Sequence, residues 1–109
     1  MFVKDIERLG LTEKESKLYL TSLRIGPASM QVIARKAKID RGTAYHVVKT
    51  LTEKGLFGVV EQGKRPLFGV AEPRKLYAYV EEQKRLADEH FAAMQSMIED
   101  LESLYEIGK

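Results

Sequence analysis

The chain has 109 residues, enough for one ordinary domain and too few for two independent cores joined by a linker. At 44% hydrophobic and 31% charged it can fill a core under a helix-rich, solvated surface, and with no cysteine it offers no disulfide, thiolate metal site or thiol nucleophile. The net charge of +2 is mild, but its distribution is not: residues 31–65 carry eight basic against three acidic groups, while residues 66–109 carry five against nine. No apolar run approaches the roughly 18 residues of a membrane-spanning helix, and the opening MFVKDIERLG holds no signal-peptide core. The chain is therefore expected to be cytoplasmic and unprocessed, with no membrane partner.

Thr12 and Glu15 have the spacing of a capping box, so a first helix is predicted over 13–25, with Leu18, Tyr19, Leu20 and Leu23 on its apolar side. Gly26-Pro27 stops it, the glycine by capping and the proline because it lacks the N–H a helix would need. Ser29 is the predicted N-cap of a second helix over 30–37, with Val32, Ile33 and Ala37 inward and Arg35 and Lys36 outward. After a tight Lys38-Ile39 turn, Asp40 caps a third helix over 41–54 that buries Ala44, Val47, Val48 and Leu51, and Gly55 ends it. The period then shortens to about two over 56–61 and 67–71, which reads as a β-hairpin with the basic tip Gln62-Gly63-Lys64-Arg65-Pro66. From Pro73 onward neither glycine nor proline interrupts a helix over 74–105, roughly 32 residues or ~48 Å.

Helix, helix, short turn, helix, hairpin and long helix is the order of a winged helix-turn-helix, mainly α with one small hairpin. Residues 1–73 would form the DNA-binding domain and 74–109 a dimerisation helix. In such a fold the second helix braces the third, whose outward face enters a DNA major groove while the hairpin touches the backbone or minor groove. The outward positions of the third helix are Arg41, Gly42, Thr43, Tyr45, His46 and Lys49, which donate hydrogen bonds or, at Gly42, let backbone approach. Ser29 and Gln31 open the second helix, where free amides suit a phosphate, and Lys64 and Arg65 sit at the wing tip. Lys36, Lys38 and Lys54, taken alone, read as a solvated face. His46 has no second histidine, cysteine or carboxylate pair beside it, so no metal and no cofactor are expected.

The long helix alternates Leu76, Val80, Gln83, Ala87, His90, Met94, Met97, Leu101 and Leu104 at four and three residues, the spacing of a coiled-coil seam. At ~48 Å it exceeds the width of the preceding domain, so a homodimer through this helix is expected. Enzyme activity is not: the chain has two isolated histidines, no phosphate-binding glycine loop and no paired carboxylates around an apolar pocket. The rival reading is a winged-helix module that docks a protein in a larger transcription or trafficking assembly, a role in which the third helix tends to lose its outward cations.

The stretches LGLTEKESKLYLTSLRIGPAS and IARKAKIDRGTAYHVVKTLTEKGLF, with the wing and GVAEP after them, resemble the N-terminal DNA-binding domain of TrmB-type transcriptional regulators over about residues 6–76. The resemblance implies that the third helix reads an operator in double-stranded DNA and that the wing supports it. Threonine is common in that family where this chain has Gly42. Many members continue into a sugar-binding domain, of which this sequence shows no counterpart, so the resemblance extends to DNA binding and not to sugar sensing or any named effector.

Overall fold

The computed structural model describes the backbone of residues 1–109 and the side chains of all of them except Glu61 and Gln62. Its elements are α1 (Val3–Glu7), α2 (Glu13–Ile25), α3 (Met30–Ala37), α4 (Arg41–Glu53), β1 (Phe57–Gln62), β2 (Arg65–Val70) and α5 (Lys75–Gly108). They divide into two compact units, Met1–Tyr79 and Val80–Lys109.

Local chemistry sets the helix starts. Thr12 Oγ1 accepts the Glu15 amide at 3.1 Å and Glu15 Oε1 accepts the Thr12 amide at 2.9 Å, which completes the expected capping box of α2. Ser29 Oγ accepts the Val32 amide at 3.4 Å, and Asp40 Oδ2 accepts the Thr43 amide at 3.3 Å. At the end of α3 the Ile39 amide reaches back to the Ala34 carbonyl at 3.0 Å and the Lys38 amide to Arg35 at 3.2 Å, a Schellman closure with Lys38 in the left-handed region at φ 57°. Gly55, at φ 78°, fills the same role after α4, where the Leu56 amide meets the Leu51 carbonyl at 2.9 Å.

The helices pack around Leu18, Tyr19, Ile33, Ala44, Leu51 and Leu56, all within 2% of complete burial. Burying each large aliphatic side chain stabilises the fold by roughly 1.5–3 kcal/mol. Strands β1 and β2 pair antiparallel from Phe57 opposite Val70 to Gln62 opposite Arg65. An isolated bridge adds Ala28 to the outer edge of β2, with Ala28 N donating to Phe68 O at 3.0 Å and Phe68 N donating to Ala28 O at 2.8 Å. The wing is thus fastened to the residue just before the cap of α3. The first turns of α5 close the core with Tyr79, buried, and Leu76, half-buried.

Five sequence expectations are corrected. A short helix, α1, precedes α2; Asp5 accepts the Phe2 amide at 2.8 Å and Ile6 is buried. Leu23 is 44% exposed, because it lies on the outer side of α2, and Val32 is only half-buried while Ala34 takes the inward position. The wing tip is two residues, Gly63-Lys64, with Gly63 at φ 70°; Arg65 and Pro66 belong to β2 and pair with β1. Finally, α5 begins at Lys75, one residue late, and runs on to Gly108.

Among the described residues one carboxylate sits inside this unit. Glu15 is 3% exposed and accepts from Lys54 Nζ at 2.7 and 2.9 Å, from Thr50 Oγ1 at 2.8 Å and from its own cap amide. Burial raises its pKa, but the bonds from Lys54, Thr12 and Thr50 outweigh burial and hold the carboxyl below its ordinary value. The Lys54 ammonium also lies 5.9 Å from the centre of the Tyr79 ring, so the same pair joins α2, α4 and the start of α5.

Candidate nucleic-acid interface

Helix α4 buries Ala44, Val47, Val48 and Leu51, which turns Arg41, Gly42, Tyr45, His46 and Lys49 outward. Thr43 is half-buried. A Cβ at Gly42 would stand 3.2 Å from Asp40 Oδ2, so the glycine leaves room for the carboxylate that caps the helix.

On the wing side of α4 lies a cleft of about 210 Å³ lined by Ser29, Met30, Gln31, Arg41, Tyr45, Arg65, Pro66 and Phe68. The helix start, Arg41 and the wing arginine expected to meet DNA converge here, and among the described residues no carboxylate lines the cleft. Inside it three side chains meet. The Arg41 guanidinium lies 5.9 Å from the centre of the Tyr45 ring, and that ring meets Phe68 edge-on at 6.4 Å and 82°. Tyr45 is nonetheless 47% exposed. Lys49 and Lys64 are exposed but do not line the cleft.

On the opposite side, α4 and the start of α2 frame a broader groove of about 700 Å³, where Thr43 and His46 face Glu13, Lys14, Glu53 and the Glu15–Lys54 pair. The expected site residues are therefore split between two concavities. Phe68 was not singled out by sequence reasoning; its only signal was an aromatic residue in an alternating strand, which reads equally well as core.

The unit Val80–Lys109 is helix alone. Val80, Gln83, Ala87, His90, Met94, Met97, Leu101 and Leu104 are all exposed, as are Phe91, Ile98 and Tyr105, which the heptad spacing left out. At about 100° per residue these eleven positions share an arc of about 140° that contains no acidic or lysine or arginine side chain. Arg85 pairs with Glu82 at 2.6 Å and Glu89 at 3.2 Å on the opposite face. The apolar band is wider than a two-position seam. Leu76, by contrast, packs against the core of the first unit.

A three-helix core with a braced outward helix and a strand-paired wing defines the winged helix-turn-helix class of DNA-binding folds. The family model of the sugar-specific transcriptional regulator TrmB matches residues 6–82, and the chain belongs to that family. Among curated proteins it is similar to the uncharacterized protein YrhO of Bacillus subtilis, 29% identical over 98 residues that cover 89% of this chain and 34% of that one. It is also similar to the HTH-type sugar sensing transcriptional regulator TrmBL1 of Pyrococcus furiosus, 31% identical over 58 residues that cover 53% of this chain and 17% of the relative. The chain thus spans about a third or less of either relative. Among solved structures, TrmBL2, described as an archaeal chromatin protein with a novel mode of DNA binding, superposes with a TM-score of 0.73 at 19% identity, over 94% of this chain and 40% of that one. The matched family is one of transcriptional regulators, not of enzymes. Among the described residues no helix is long and apolar enough to cross a membrane.

Proposed function

We propose that this chain binds double-stranded DNA sequence-specifically as a homodimer and regulates transcription from a pseudo-palindromic operator. The observation that carries the reading is the wing-side cleft, where Arg41 and Arg65 converge with the start of α3 and the described lining holds no carboxylate. A phosphate or a guanine edge matches that arrangement of donors. Arg41 and Lys49 anchor phosphates or guanines, Thr43 and Tyr45 set register, His46 contributes to base choice, and Lys64 with Arg65 holds the backbone from the wing. A module that docks protein tends to lose the outward cations of this helix; Arg41 and Lys49 remain exposed.

The charge-free band of α5 supports pairing with a second copy through Val80, Ala87, Met94 and Leu101, flanked by Phe91, Ile98 and Tyr105. Two α4 helices related by a two-fold axis would then read half-sites one turn or more apart, ~34 Å. Residues 1–73 supply the reading head and residues 74–109 the pairing helix. Sugar sensing is not assigned to these residues.

The test is selection of genomic fragments by the purified chain at about 150 mM salt. A two-fold symmetric motif establishes the reading; recovery of DNA without a shared motif replaces it with architectural binding; no recovery defeats it in favour of protein docking. With about eight phosphates engaged, log K should fall against log salt with a slope of about −7, measured by fluorescence anisotropy, and a flat response contradicts the interface. Sedimentation of the free chain reads the pairing directly.

A further inference from the structure

The wing contributes a side chain that faces α4. Phe68 is half-buried, packs against the core and is locked in place by reciprocal hydrogen bonds with Ala28 at 2.8 and 3.0 Å. Its ring meets the Tyr45 ring edge-on, at 6.4 Å and 82°. Tyr45 in turn carries the Arg41 guanidinium over its face at 5.9 Å. An exposed arginine ordinarily loses much rotamer freedom when it binds, and a guanidinium held over a ring has surrendered part of that freedom beforehand.

We infer that Phe68 is a positioning residue of the DNA interface. It touches no nucleic acid itself; it fixes the plane of Tyr45, and Tyr45 presents Arg41, so the wing presets the recognition helix before DNA arrives. The inference rests on the DNA-binding reading above and adds a residue and a route to it. The coupling runs between residues 45 and 68; the Ala28 bridge holds the Phe68 backbone and packing against the core restricts its ring.

The experiment is a double-mutant cycle on the intact chain, read as affinity for a selected duplex, with thermal midpoint measured alongside. Phe68→Leu keeps an apolar side chain and removes the ring edge, and should weaken binding about five- to tenfold. Phe68→Tyr keeps the edge and should stay within about twofold of the wild-type chain. In a Tyr45→Ala background, Phe68→Leu should add nothing, because the route is already cut. An equal loss from Phe68→Leu in both backgrounds overturns the inference, and so does wild-type affinity in Phe68→Leu alone. Should Phe68→Leu fail to fold, Phe68→Ile, whose β-branch suits a strand, takes its place in the same cycle. A wild-type chain that binds no duplex defeats the DNA-binding reading itself, an outcome separate from binding that Phe68→Leu leaves untouched.

Discussion

The two concavities beside α4 share a helix and differ in what they do with charge. On the wing side Arg41 lies over the Tyr45 ring and Arg65 lines the same cleft, with no carboxylate among the described lining residues. On the α2 side a buried carboxylate is saturated by Lys54, Thr50 and its own cap, and Glu13 and Glu53 line the groove around it. The first leaves its cations free for a ligand; the second spends its charges on the fold. Basic residues near a recognition helix are therefore not one population, and Lys54, which sequence alone places in the same basic block as Arg41, is a structural cation.

The largest test of this division is Glu15→Ala. It strands Lys54 and removes the Glu15 half of the α2 capping box, and should cost about 3 kcal/mol of stability in denaturant titration while the chain that remains folded binds DNA as before. Next comes Arg41→Ala, on an exposed position, which should cost about 1–3 kcal/mol of DNA affinity and leave the unfolding midpoint unchanged. Equal effects of both variants on both measurements would erase the distinction. A third test uses pH. Because the folded Glu15 carboxyl lies below its ordinary value of 4.5, its contribution is complete above that value and is lost as the pH falls through the lowered one. Stability of the wild-type chain should thus fall below about pH 4.5, and Glu15→Gln should flatten that fall. The smallest effect belongs to His46→Ala, from the acidic side, which should cost about 1 kcal/mol or less and relax base preference at one operator position, read by selection with the variant.

Much of this fold was legible because its punctuation is local. The caps at Thr12, Ser29 and Asp40 act across three residues, and Gly55 marks its own backbone conformation, so helix starts fell where the sequence placed them. Helix α1 escaped notice because five residues around a single buried Ile6 carry too little periodicity to register. The sequence predicts too long a wing tip, since whether Arg65 and Pro66 pair depends on the register set by the partner strand. The candidate site was half visible. Outward positions of α4 followed from the helical period, but their division between a basic and an acidic side depends on which neighbours α2 and the wing supply, and the Tyr45–Phe68 contact joins residues that no spacing rule links. The band on α5 was read as a heptad and is broader, because Phe91, Ile98 and Tyr105 repeat every seven residues beside it.

Lys38, left-handed at the close of α3, has one more implication. A side chain in that conformation costs about 1 kcal/mol that glycine does not incur. Because Lys38 projects into solvent, no packing offsets the cost, and the domain sits below the thermal ceiling its own architecture allows. An engineer seeking a hardier version would begin at this one turn, and would leave the hydrophobic interior alone.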